Sequence, residues 1–247
     1  MKHTITLNCD LGESFGVYQI GNDEAIIPLV DEVNIACGFH AGDAHTMQQT
    51  IQLAKQHGVK MGAHPGLPDL QGFGRRVMQV TAQEVYDWMI YQIGALQGFA
   101  RVHKVSLHHV KPHGALYNMA CQDKRLAQAI AQAVVDLDQN LTLVGLSGSE
   151  LINAGIEKGL AIANEVFADR RYQSDGTLVP RHMPGAVLAE EQLVLQQVGQ
   201  MVQKQTVTAL DGQTINIVAD TICVHGDTAN ALHLVRSIRS LMESNYL

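Results

Sequence analysis

Short apolar runs alternate with longer segments whose apolar residues recur every three or four positions, and the alternation persists along the whole chain. The short runs read as strands over residues 4–9, 32–37, 59–64, 107–111, 141–146, 161–167 and 221–225. Most are brief and apolar, as strands covered on both faces should be. The longer segments read as amphipathic helices with recognisable ends. Thr81-Ala82-Gln83-Glu84 has the capping-box pattern and leads into Val85, Met89, Ile93, Leu96 and Phe99, spaced to share one helical face. Asp43 is placed to cap a helix that carries Met47, Ile51 and Ala54 and stops at Gly58. Asp227 or Thr228 would cap a last helix with Leu234, Ile238 and Leu241 along one side, and Ser147 reads as a further helix cap.

Strands alternating with helices imply βαβ units and a parallel sheet. Such a sheet is either open and doubly wound or closed into a barrel, and the polar residues decide between the two. Six of the seven strands run into chemistry-capable groups: Asp10, His40, His64, Lys111 with His113, Asp169, and His225 with Asp227. A barrel gathers all its strand ends around one mouth, whereas an open sheet concentrates function at one switch point and leaves the other ends idle. The expected fold is therefore α/β: one domain over residues 1–247, a TIM-type β/α barrel of about seven parallel strands. Residues 169–184 form the longest irregular stretch, and a loop of that length within a compact domain is usually functional.

Composition narrows the function classes. A hydrophobic fraction of 46% with 17% charged residues excludes a disordered chain. The formal charge of −7 argues against a broad nucleic-acid face while leaving room for a small cationic pocket. Cys9, Cys37, Cys121 and Cys223 are far apart and form no Cys-x-x-Cys pair, so they read as buried reduced thiols rather than a zinc knuckle or redox motif. The first residues lack the apolar core of a signal peptide. No run approaches a membrane span, and the expected location is the cytoplasm.

Several clusters could carry chemistry. Asp10 and Glu13 sit three residues apart on a turn, able to divide base and acid work, to share a cation, or only to satisfy backbone amides at a helix start. His40, Asp43 and His45 follow the second strand, and two histidines with an aspartate can face a metal, although Asp43 is equally a helix cap. His64 opens a glycine-rich loop that closes with Arg75 and Arg76, fork-shaped donors for carboxylate or phosphate, of which one is expected merely to pair with a surface acid. Lys111 and His113 point to the same side of their strand, together with His109. A lysine near the end of a buried strand is costly without an anionic partner, which singles out Lys111. Arg170 and His225 follow the last two strands. No Gly-x-Ser-x-Gly elbow and no P-loop occurs, so a serine triad and the standard ATP cradle are both absent.

Together these blocks resemble the family of 5-oxoprolinase A subunits, also called the LamB/YcsF-type lactam-utilisation family. The matching stretches are DLGESFG (10–16), NIACGFHAGD (34–43), GAHPG (62–66), PDLQGFGRR (68–76), KPHGALYN (111–118), EVFADRRY (165–172) and VHGDT (224–228). Where the family pattern leads to a proline after HAGD this chain has Ala44, and Ala229 follows GDT, changes that touch only helix starts. The resemblance implies a seven-stranded, deacetylase-like β/α barrel. It further implies ATP-dependent opening of 5-oxo-L-proline to L-glutamate, with ATP and Mg2+ as cofactors, in a complex with two other subunits, B and C. On that reading Asp10, Glu13, Lys111, His113 and His45 are the candidate catalytic residues. Arg75, Arg76, Arg170, Asn34, Asp43 and His225 are candidate substrate- or phosphate-binding groups. Two alternatives stand beside it: a stand-alone metal-dependent amide hydrolase or deacetylase with Asp10, His40, His45 and His64 as ligands, and a non-catalytic lactam-binding module.

Overall fold

A computed structural model describes residues 4–225 and 231–246. Its strands are β1 (Thr6–Leu11), β2 (Glu32–Ala36), β3 (Lys60–His64), β4 (His109–Val110), β5 (Thr142–Leu146), β6 (Ile162–Phe167), β7 (Thr206–Thr208), β8 (Thr214–Asn216) and β9 (Thr221–His225). Strands β1 to β6 and β9 are parallel and close into a barrel, with β9 paired to both β6 and β1. The helices are α1 (Asp23–Ile26), α2 (Ala44–His57), α3 (Ala82–Val102), α4 (Gly114–Ala120), α5 (Lys124–Asp138), α6 (Glu150–Glu157), α7 (Glu191–Lys204) and α8 (Ala231–Tyr246). No helix among the described residues is long and apolar enough to cross a membrane.

The expected barrel is present, and its seven strands fall where the apolar runs lie. The fourth is shorter than expected, yet its flanks remain in the ladder: His108 N donates to Met61 O (2.7 Å) and Lys111 N to Ala63 O (2.9 Å). The helix ends follow local chemistry. Asp43 caps α2 by accepting from Thr46 N at 2.8 Å, and α2 stops at Gly58 in the left-handed conformation. Thr81 and Glu84 form the reciprocal capping box at the start of α3. In α8 the most buried stripe runs through Val235, Ile238 and Met242, with Leu234 and Leu241 half-buried beside it. The expected caps Asp227 and Thr228 lie outside the described residues.

Two expectations are corrected. Ser147 caps no helix: its hydroxyl accepts from Val218 N at 2.9 Å, and the turn through Gly148 delays α6 until after Ser149. The strands are covered on both faces, but apart from β5, with Leu143, Val144 and Leu146, most are not apolar on both. Leu7, Cys9, Leu11, Val33, Ile35, Ala63, Val110, Leu143, Val166, Ile222 and Val224 pack in the apolar core. The alternate positions carry Asn8, Asp10, Asn34, His64, His109, Glu165 and Thr221, all buried. Asn8 Nδ2 donates to Thr221 Oγ1 (2.8 Å), Asn34 Nδ2 to Asn8 Oδ1 (2.8 Å) and His109 Nε2 to Asn34 Oδ1 (2.7 Å). Because β2 and β4 are not neighbours, the last of these bonds spans the barrel interior. At Gly62 a Cβ would collide with the His109 ring, so the glycine opens the space that this bond needs.

The segment between β6 and α7 is irregular but pinned. Arg170 bridges to Val187 and Tyr172 to Leu178. The fully buried Tyr172 accepts from Phe167 N at 2.8 Å. The Gln197 side chain on α7 donates to the carbonyls of Phe167, Ala168 and Arg170.

Candidate active site

Lys111 is the buried cation of the barrel mouth, 2% exposed. Its Nζ lies 2.7 Å from Glu165 Oε1, 2.8 Å from Asp10 Oδ1, 3.1 Å from Cys223 Sγ and 3.4 Å from Asn8 Oδ1. Burial alone would push the lysine pKa down. Asp10, then Cys223 and Glu165, outweigh it and hold the ammonium well above its ordinary value. Burial likewise pushes the Cys223 thiol up, and its sulfur accepts from the ammonium. An ammonium has three N–H groups; Asp10, Cys223 and Asn8 accept from them, and Glu165 is paired with the same ammonium as an ion. Lys111 thus has the anionic partners that its buried strand position calls for, and it holds Asp10 in place.

Asp10 is fixed from two more directions. Its Oδ1 also accepts from Asn34 Nδ2 at 2.8 Å, and its Oδ2 lies 3.3 Å from His64 Nε2. Asn34 is itself held by Asn8 and His109, so it orients Asp10 from inside the barrel.

Three imidazoles and Glu13 stand beside this pair. His64 Nδ1 lies 2.7 Å from Lys111 O, His113 Nε2 2.8 Å from Phe73 O, and His113 Nδ1 3.0 Å from His64 Nε2. His40 stacks on His113 with centroids 3.7 Å apart and planes 4° from parallel. His40 Nε2 is 3.8 Å from Glu13 Oε1. One ligand-capable atom from each of Glu13, His40, His64 and His113 falls within 4.8 Å of the others, and all four residues are buried. Burial, reinforced by His64, pushes the His40 pKa well below its ordinary value, and burial with His40 does the same to His113. The loop glycines make this crowding feasible. Gly74 has φ +65°, and a Cβ there would sit 2.7 Å from His40 Cβ and 2.8 Å from His113 Cδ2.

The remaining sequence candidates lie farther out or are engaged elsewhere. Asp43 serves as the α2 cap and also accepts from Gly16 N at 2.8 Å. His45 is exposed on the first turn of α2, which carries it away from the mouth. Both line an outer groove of about 520 Å3 shared with Ser14, Tyr18, Asn22 and Gln49. Of the four sequence-derived metal candidates, His40 and His64 come together with Asp10 beside them, and His45 does not join them. Glu13 and His113 complete the cluster instead. Arg75 is exposed, with its guanidinium 4.8 Å above the Phe73 ring. Arg76 is the arginine paired with an acid: its Nε donates to the buried Asp69 at 2.8 Å. Arg170 is buried and donates to Val179 O at 2.6 Å, and burial brings its pKa down to about 10. His225 ends β9 in register with Asp10, and its side chain is outside the described residues. Sequence parity already placed His109 on the side of Lys111 and His113; what sequence reasoning missed as site residues are Asn8, Glu165 and Cys223, whose partners depend on barrel register.

The LamB/YcsF family matches residues 5–247, almost the whole chain. The chain belongs to the LamB/YcsF family. Its LamB/YcsF relatives include a Tolumonas auensis protein named as the A subunit of 5-oxoprolinase, 58% identical over 238 residues that cover 96% of this chain and 95% of that one. A Bordetella parapertussis protein of the same name is 54% identical over 245 residues, covering 99% and 97%. Among solved structures, a lactam utilization protein from Thermus thermophilus superposes with a TM-score of 0.92 at 44% identity, over 98% of this chain and 97% of that one.

Proposed function

We propose that this LamB/YcsF chain is the A subunit of an ATP-dependent 5-oxoprolinase. The reaction opens the lactam of 5-oxo-L-proline to L-glutamate while ATP becomes ADP and phosphate, with two waters consumed. The observation that carries the reading is the 58% identity, over nearly the full length of both chains, to a protein named as the A subunit of 5-oxoprolinase. The mouth suits a small anionic amide. Asp10 and Glu13 supply carboxylates able to act as general base toward water, and Arg75 stands exposed at the rim to meet the substrate carboxylate. Lys111 and Asn34 position Asp10. His113 points its N–H at Phe73 O and so offers the cluster an acceptor rather than a proton. The chain has no P-loop, and handling of ATP with Mg2+ is shared with two partner subunits, B and C. Four buried free cysteines suit a reducing, cytoplasmic setting.

The test is glutamate release from 5-oxoproline by this chain alone and with its two partner subunits, each with and without ATP. Glutamate formed only with partners and ATP is the expected result. Asp10→Asn should then cut turnover about 100-fold or more, the contribution of a general base. Release by the chain alone without ATP would overturn the reading.

A further inference from the structure

Glu13, His40, His64 and His113 leave an electrostatic question that protein atoms alone do not answer. A carbonyl oxygen can only accept, so His64 Nδ1 must donate to Lys111 O and His113 Nε2 must donate to Phe73 O. In neutral rings the opposite nitrogens, His64 Nε2 and His113 Nδ1, then carry lone pairs, and these two atoms are 3.0 Å apart. Two lone pairs at that distance repel unless a positive charge lies between or beside them. One shared proton would satisfy this pair but not His40, which is fully buried and makes no hydrogen bond through either ring nitrogen.

A metal dication accounts for all of these features together. Ligating histidines characteristically donate their other N–H to a backbone carbonyl or carboxylate, which fixes tautomer and ring orientation, and His64 and His113 both do so. Bonds of about 2.0–2.1 Å in a tetrahedral site put ligand atoms about 3.3–3.4 Å apart. The His113–His64 separation of 3.0 Å and the His40–Glu13 separation of 3.8 Å bracket that spacing. The charges agree as well. Among the described residues of the mouth, Asp10, Glu13 and Glu165 are buried carboxylates, and Lys111 is a buried ammonium paired with Asp10 and Glu165. The four donors come from the ends of four successive strands, β1 to β4, so closing the barrel assembles them.

We propose that Glu13, His40, His64 and His113 form a binding site for a first-row transition-metal dication of the zinc class. Three imidazoles and one carboxylate are the donor set that suits zinc and cobalt(II) rather than calcium or magnesium. The site does not depend on the 5-oxoprolinase reading, and its test does not measure glutamate.

Untagged chain is incubated with zinc or cobalt(II), freed of unbound ion by gel filtration, and assayed for metal by mass spectrometry. Equimolar metal is expected. His40→Gln and His113→Gln should each weaken retention by about tenfold or more, and His45→Ala should leave it unchanged. The cobalt(II) form of the unmodified chain should show the intense visible bands of a low-coordinate nitrogen–oxygen site, a readout that needs no variant to fold. A chain that retains no more metal than the His40→Gln/His113→Gln double variant overturns the proposal. So does a cobalt spectrum with the weak bands of the hydrated ion, or loss of metal in His45→Ala.

Discussion

In most barrel strands the two faces are both buried and chemically opposite, β5 with Leu143, Val144 and Leu146 being apolar on both. The outer face, with Leu7, Cys9, Ile35, Val110, Val166 and Ile222, meets the helices through non-directional apolar contact. The inner face, with Asn8, Asp10, Asn34, His109, Glu165 and Thr221, is held by bonds of fixed direction and length. The outer face can exchange one hydrocarbon for another of similar volume at small cost. The inner face cannot, because each group there completes its neighbour, and removing one strands the others in a site that excludes water. Stability is thus spread diffusely outside and concentrated in a few linked groups inside. Those inside groups also aim Asp10 at the mouth.

Lys111→Met should break this contrast most visibly. It leaves Asp10 and Glu165 as uncompensated buried carboxylates, and chemical denaturation should show a loss of about 3–5 kcal/mol. Adding Glu165→Gln to that variant should recover part of the loss. No recovery would mean that the lysine acts through packing rather than charge. On the outer face, Leu7→Ala should cost about 3 kcal/mol by the same measurement. It should leave turnover per folded molecule intact, because the Leu7 side chain belongs to the apolar core outside the barrel. Thr81→Ala lies outside both faces and removes only the cap of α3. It should lower stability by about 1 kcal/mol, read as a small shift in the thermal midpoint with glutamate formation unaltered.

The barrel was legible because its determinants are local and repetitive. Strand runs, the Asp43 cap, the Gly58 stop and the Thr81–Glu84 box each act within a few residues. The chemistry at the strand ends was legible as a set, and Asp10, His40, His64, Lys111 and His113 do converge. Pairings within the set were not, since they depend on barrel register. Glu165 sits within an apolar run and announces itself only once β6 is known to face Lys111 across the interior. In the cluster of ligand-capable groups His113 stands where the sequence reading had put His45, for a related reason. His45 follows Asp43, whose capping commits it to the outside of α2, whereas His113 precedes α4 in extended backbone that holds it over the mouth. Ser147 failed as a cap because the turn through Gly148 moved the helix start two residues along.

The seam between β1 and β9 carries a consequence for how the chain is made. Asn8 and Thr221, joined by a hydrogen bond of 2.8 Å, are 213 residues apart in sequence. Lys111 likewise takes partners from residue 10 and from residue 223. During synthesis, the residues of the first four strands leave the ribosome long before the strand that shuts the ring over them. Until then Lys111, Asp10 and Glu165 must stay hydrated, because dehydrating any of them without the rest is prohibitive. Ring closure comes late and rests on long-range contacts, so it is expected to be the slow step of maturation. A chain cut short before Thr221 should accumulate as an open, water-filled precursor that protease digests readily.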